Sequence, residues 1–383
     1  MDKIRTNPIL ASVANQVEQT GIRSLPRPQQ VDEMGLSFEK LATDDVPSLA
    51  LLRPLIESYF DHVHCLYPFL HRPSFEAQYL ELTQDSSNKS VEMSVVYMLV
   101  ALGYVFYAGG KGLQTSRVFV DKAKSYLRFQ MLDTPTLEFA QVLLLLTQYY
   151  IEECLNRRGF LPNALTHLSM AINVCRILGF HKPTSQNPIY QQLALRAWWG
   201  CVYFDTVLSV YFGQPALIYD RSFGMDYPAC LDDYCITNHT IHFQLSSTPS
   251  ITTFFVKSVE LYQILSDMSK ALYSGASIKS DDAGMTCLRR GDFSMILEYE
   301  TKLKDWYVLL PAYLKSDGIA SFPFADARIR RQCDLLRLKL CLVLRRLMVD
   351  IFIAFVCFTD RDCYCSWTRN NNLTVRQMSR ERR

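Results

Sequence analysis

The chain has 383 residues, enough to bury a large core as one big or two ordinary domains. A hydrophobic share of 49% and an aromatic share of 12% exclude a disordered polymer, and a net charge of +2 excludes a globally basic nucleic-acid binder. The charge is uneven: residues 328–383 hold 13 Lys/Arg and 5 Asp/Glu, a net of +8, which leaves −6 on the body. Such an end can meet an acidic partner or nucleic acid, and it also fits a solvated helix face followed by a charged tail.

In chain order, residues 1–46 carry few periodic apolar positions and read as a mostly disordered linker. From Pro54 the pattern turns helical, with Leu55, Ile56, Tyr59, Phe60 and Val63 on one stripe. Tyr67-Pro68 and Arg72-Pro73 break it, and Ser74 can cap a helix running to about Thr83. Ser90 opens a helix that Gly109-Gly110 closes, and an amphipathic one comes next, from Lys111 to Met131. Asp133-Thr134-Pro135-Thr136 is a stop and restart, beginning a helix to about Leu155. A partner helix spans about Pro162 to Leu178 and ends at Gly179 and Pro183.

The central element is predicted next, in the stretch Asn187 to Asp220. Asn187 caps its start, Pro188 suits its first position, and Gly213 with Pro215 ends it. Trp198, Cys201, Val202, Leu208 and Phe212 share one face, while Trp199, Tyr203 and Val210 occupy another. A helix apolar on nearly all sides belongs inside a domain. After it, Ala216 to Pro249 shows little periodicity. Two apolar helices come after that, at about Ser250–Tyr273 and Asp292–Leu310, and a last one begins near Asp326. No alternating strand pattern of useful length occurs, and the loops suit antiparallel neighbours. The expected fold is all-α, a single large domain of antiparallel-packed helices around a buried central helix.

The uncharged apolar runs Val95–Ala108 and Phe139–Ile151 fall short of the ~20 residues that span a bilayer. The N-terminus has no apolar core of signal-peptide type. Twelve cysteines, among them Cys154, Cys175, Cys201 and Cys341, are scattered through apolar segments, the pattern of buried free thiols in a reducing compartment. The chain reads as soluble and intracellular, with no membrane partner, and the sequons at Asn238 and Asn372 are then irrelevant.

Three blocks carry a family resemblance. The first is Arg196, Trp198, Trp199, Tyr203, Asp205, Ser209, Gly213 and Pro215 of the central helix. A second runs from Tyr59 through His64, Tyr67-Pro68-Phe69-Leu70, His71, Pro73 and Phe75. The third comprises Ala164, His167, Leu168, Met170, Ala171 and Leu178-Gly179-Phe180-His181. Together they resemble the regulatory middle domain of fungal zinc-cluster transcription factors over residues 47–346. The resemblance implies a nuclear regulator of RNA polymerase II transcription that meets the transcription machinery or co-regulators, often homodimerises, and can respond to a small-molecule effector. It also implies that DNA is reached through a separate zinc-binding module.

That module needs six thiolates in closely spaced pairs, and the chain has no Cys-x2-Cys. Zinc is therefore expected only in the absent module, with no cofactor here; a naturally lone domain and a missing first exon both fit. Residues 347–383 do not resemble the family's usual C-terminal continuation and read as an atypical tail, from truncation or read-through of non-coding sequence.

Other constellations carry less. Cys230, Cys235, His239 and His242 have ligand types suited to zinc, but three residues between the Cys and His pairs leave no room for a finger. Asp232-Asp233 prompts comparison with class I terpene synthases, which are also all-α, yet the further acid that their magnesium motif needs is Ile236 here. His62 and His64 lie near Cys65, but sequence neighbours on a helix point apart. His167 has no acid or thiol one turn away and reads as a satisfied, partly buried histidine. The expectation is a non-enzyme, with an all-α interaction scaffold as the alternative to a transcription regulator. Asp205 is expected to be buried and structural. Its partner is Ser209, an arginine of another helix, or the backbone N–H groups after Gly213.

Overall fold

The computed structural model describes residues 49–343 except 83–89, 109–112, 158–160, 183–184, 213–215, 219–224, 243, 245–247, 274–293 and 316–327. The expected linker 1–46, the tail 347–383, and the helix-ending Gly213 and Pro215 therefore lie outside the described residues, as does the side chain of Phe212.

The described chain is helical almost throughout, and its one β feature is an isolated bridge between Ile236 and Ile241. The helices are α1 (Leu49–Tyr59), α2 (Arg72–Leu82), α3 (Ser90–Tyr107), α4 (Leu113–Ser125) and α5 (Leu137–Arg157). They continue with α6 (Leu161–Ile177), α7 (Pro188–Phe212), α8 (Ile251–Tyr273), α9 (Ser294–Val308) and α10 (328–343). Neighbours in sequence pack as pairs, α3 on α4 and α5 on α6, and the pairs close around α7, which touches α5, α6 and α8. Every residue of α7 from Gln192 to Thr206 is buried, so it is the axis of the core. Among the described residues no helix is long and apolar enough to cross a membrane.

Local chemistry sets the helix ends. The Asn187 side-chain oxygen accepts the N–H groups of Ile189 (2.9 Å) and Tyr190 (3.3 Å), an N-cap at the head of α7. Thr136 accepts from Phe139 N–H at the start of α5, and Ser250 from Thr253 N–H at the start of α8. At the end of α6, Gly179 has φ +71°, which glycine adopts without a Cβ penalty. Phe180 N–H there donates to Cys175 O and Gly179 N–H to Arg176 O, closing a Schellman turn.

Several expected ends moved; the helix expected to run to Met131 stops at Ser125, and a separate 3-10 turn covers Phe129–Leu132. Helix α1 begins at Leu49, not Pro54, because Leu52 and Leu55 are fully buried and their packing outweighs the hydrogen bond a proline removes. Helix α2 begins at Arg72, and its cap is His71, not Ser74. The His71 Nδ1 accepts from Ser74 N–H (3.3 Å) and lies 2.7 Å from Ser74 Oγ.

Between a π turn at Phe60–His64 and α2, residues 65–71 run without regular structure through the core. A backbone there needs partners for its carbonyls. Side chains from three helices supply them: Gln332 of α10 to Cys65 O (2.6 Å), Gln141 of α5 to Phe69 O (2.6 Å), and Arg196 of α7 to Leu70 O (3.2 Å). The Phe69 ring lies close on α7 only because residue 200 is glycine; a Cβ there would meet Phe69 Cε1 at 2.4 Å.

Candidate functional site

Arg196 sits within the apolar α7 with 1% of its surface exposed. A guanidinium so placed cannot shed its charge, so the fold must bring an acid to it. That acid is Asp233, delivered by the irregular segment between α7 and α8 on a short 3-10 turn, Asp233–Cys235. Arg196 Nη1 donates to Asp233 Oδ1 at 2.6 Å, and Nη2 to Thr252 Oγ1 at 3.2 Å. The other carboxylate oxygen accepts Arg72 N–H at 2.9 Å, the first residue of α2, and lies 3.2 Å from His64 Nε2. His71 Nε2 donates to the Asp233 carbonyl at 2.8 Å.

These partners set the protonation states. Because His71 Nε2 faces a carbonyl, that nitrogen carries the proton and Nδ1 is free to accept from Ser74. Burial pushes the Asp233 carboxyl up, but Arg196, the His64 contact and the Arg72 N–H together outweigh it and hold the carboxyl well below the usual range. Burial lowers the pKa of His64 and exceeds the opposing pull of Asp233, so the imidazole is neutral and donates from Nε2. The junction thus joins the end of the π turn, the start of α2, the middle of α7 and the approach to α8.

Asp232, the neighbouring acid, is occupied as well. It accepts Ile251 N–H at 3.0 Å and the Gln244 side-chain amide at 3.1 Å, fixing the start of α8. The pair that prompted comparison with diphosphate-binding enzymes therefore commits both carboxylates to contacts within the fold. The segment Cys235–His242 is a hairpin, with Thr237 and Thr240 bonded across its tip and His242 N–H donating to Cys235 O. His239 is exposed at that tip. Cys230 is exposed, and the Cys235 thiol faces the Gln244 oxygen. Among the described residues no group of three or more His, Cys, Asp or Glu could hold a metal ion.

The other signature residues make contacts within the fold. Asp205 is 2% exposed, and its two oxygens accept Leu217 N–H (2.8 Å) and Ile218 N–H (3.1 Å), the backbone partners after Gly213. Ser209 donates to Thr206 O instead. Trp199 donates from Nε1 to Asp226 O (3.0 Å) and stacks on Tyr227 with ring centroids 4.6 Å apart. Trp198 packs against the His181 ring. His167 donates from Nδ1 to Asn163 O at 2.6 Å and stacks on Tyr150, a satisfied half-buried histidine. Pro73 is the second residue of α2, where its missing N–H is not needed.

Sequence reasoning missed Asp233 and His64 as members of the junction. The available signal was Arg196 itself, a permanent cation inside an apolar helix that required an acid from elsewhere.

A cavity of about 220 Å³ lies beside the junction, lined by Phe60, His64, Arg72, Asp233, Ile329 and Gln332 among others. This is below the ~300–1,000 Å³ of most ligand pockets.

The polar groups of the junction bond within the fold, as in a structural keystone. The family model of the fungal specific transcription factor domain matches residues 56–307. The chain belongs to this family. Proteins that it resembles include an uncharacterized transcriptional regulatory protein of Schizosaccharomyces pombe, 26% identical over 77% of this chain and 42% of that protein. Another is the lactose regulatory protein of Kluyveromyces lactis, 26% identical over 43% of this chain and 18% of that protein. A third is cutinase transcription factor 1 beta of Fusarium vanettenii, 23% identical over 71% of this chain and 33% of that protein. The chain thus spans less than half the length of each of these relatives. No solved structure matches it. The junction around Arg196 and Asp233 ties together four parts of this family domain.

Proposed function

We propose that residues 47–346 form the regulatory and effector domain of an RNA polymerase II transcription factor, acting in the nucleus on co-regulators or the transcription machinery. The family match across residues 56–307, on a chain without any Cys-x2-Cys pair, carries this reading. DNA is reached through a zinc-cluster module that this sequence does not contain, so the domain has no cofactor of its own and controls a partner module. The polar residues of the Arg196–Asp233 junction are bonded to one another, which suits a rigid regulatory body rather than an enzyme. An effector seated beside the junction would be a small metabolite, given the cavity's size.

The test is a reporter assay with the full chain fused to a foreign DNA-binding domain. Expression is expected to change several-fold in one direction, and Asp233→Ala to abolish the change. A fusion that is well folded by circular dichroism yet inert on several promoters would favour the interaction-scaffold reading instead.

A further inference from the structure

The cavity beside the Asp233 junction has walls of two kinds. Phe60 of the π turn, Pro249 and Ile251 at the start of α8, and Ile329 of α10 supply apolar surface. The rest of the wall is polar, and most of its uncharged groups are already committed. Ser250 Oγ lies 2.8 Å from Thr253 Oγ1, the Gln332 amide donates to Cys65 O, and the Cys65 thiol donates to Asp61 O. What such a space accepts is decided by the groups with bonding capacity to spare.

The charged groups differ in how well they are answered. Arg72 and Arg328 both reach the cavity. Arg72 donates to Glu57 at 2.6 Å and to Glu76 at 2.8 Å, and its guanidinium lies over the Phe60 ring. Arg328 faces Asp61 at 3.9 Å. Asp233 has Arg196, and the neutral His64 contacts its other oxygen. Asp232, half-buried on the same wall, has no such countercharge. Its oxygens accept one neutral donor each, Ile251 N–H at 3.0 Å and the Gln244 side-chain amide at 3.1 Å. Among the described residues no Lys, Arg or His lies within ion-pair distance of it. A carboxylate has room for about four hydrogen bonds, so each Asp232 oxygen can take another. With two glutamates also set against Arg72, the surroundings carry more acid than base.

We propose that this cavity takes a small primary amine with an apolar body, its ammonium on Asp232 and its body against Phe60, Ile251 and Ile329. An ammonium brings three donors and the positive charge that Asp232 lacks. An anion of the same shape meets an excess of acid and finds both arginines already paired. At ~30 Å³ for each water in the liquid, the cavity's 220 Å³ is room for roughly seven to ten bonded non-hydrogen atoms, the size of benzylamine. The biological role of the site rests on the effector reading above; the binding itself does not.

Ligand-observed NMR on the purified full chain tests this with three probes of one shape: benzylamine, benzyl alcohol and benzoate. Benzylamine is expected to bind with a Kd of about 0.1–1 mM, the range open to so few atoms. Benzyl alcohol should bind about three- to tenfold more weakly, the worth of one partly exposed ion pair, and benzoate weakest of the three. Asp232→Asn keeps an accepting oxygen for Ile251 N–H and removes the charge. It should bring benzylamine to the level of benzyl alcohol and leave the alcohol unchanged. Ile329→Trp fills the cavity from a half-buried position and should weaken both, which keeps the site testable if the Asp232 variant does not fold. Benzoate bound as tightly as benzylamine would overturn the proposal, as would no binding of benzylamine up to about 10 mM. So would an amine preference that survives Asp232→Asn, or binding that survives Ile329→Trp. A chain that holds benzylamine yet leaves a reporter unmoved would break the effector reading and leave the site standing.

Discussion

Asp233 and Asp205 are both carboxylates removed from water, 5% and 2% exposed, yet the fold pairs them in opposite ways. Asp233 meets a full charge, Arg196, and contacts drawn from residues 161 to 169 positions away as well as from α7. Asp205 meets two backbone dipoles, 12 and 13 residues further along the chain. The first therefore fastens distant parts of the domain to one another, and the second fixes how the chain leaves α7. What differs is the cost of losing the acid. A stranded guanidinium has nowhere to put its charge, whereas a stranded N–H loses a hydrogen bond.

The largest effect is expected at Asp233. Its replacement by alanine should cost about 3–5 kcal/mol, the range for breaking a buried pair on one side, measured as the shift in urea midpoint. Replacing both partners, Arg196→Met with Asp233→Leu, should recover much of that loss, since two apolar side chains leave no charge behind. A double variant as unstable as Asp233→Ala would show that the stranded cation is not the source of the cost.

At Asp205 the same experiment should read less. Asp205→Ala strands two N–H groups, at about 1–3 kcal/mol for each unsatisfied group before the loop rearranges to find water. Asp205→Asn keeps one accepting oxygen and should fall about halfway between. If Asp205→Ala matched Asp233→Ala, the distinction between charge and dipole pairing would fail.

Acid sharpens the comparison with the smallest step. Asp233 is held below the ordinary carboxylate range, so its share of stability is present above the unfolded value near pH 4 and lost as pH falls below it. One proton can contribute at most about 1.4 kcal/mol per pH unit. Denaturation midpoints between about pH 5 and 3 should therefore fall less steeply in Asp233→Asn than in the wild type; equal slopes would count against the ionised junction.

The two acids also differ in how far the sequence revealed them. Asp205 lies on a strongly apolar helix, where spacing alone fixes its neighbours, so its burial and its choice of partners could be enumerated. Asp233 comes from a stretch without periodicity, and its pairing with Arg196 depends on where that stretch crosses the core. The same division holds for the fold. Helices α5, α6 and α7 were legible because Thr136, Gly179 and Asn187 mark their ends with local hydrogen bonds. The start of α1 was not, since packing of Leu52 and Leu55 overrides the local signal of Pro54. Nor was the His71 cap, because histidine is outside the usual set of capping residues and acts here while its other nitrogen is held by Asp233 O.

The irregular passage of residues 65–71 through the core has a consequence for how the domain comes into being. Its three carbonyl partners lie 72, 126 and 267 residues away in sequence. Loops of that length must close before these bonds form, so the passage is completed only once most of the chain has been made. A nascent chain still on the ribosome with only α1 and α2 exposed would lack the side chains that seat the link between them. The domain is in this sense indivisible: fragments that end short of α10 lack the Gln332 partner of Cys65 O, and those that end short of α7 lose the hold on Leu70 as well.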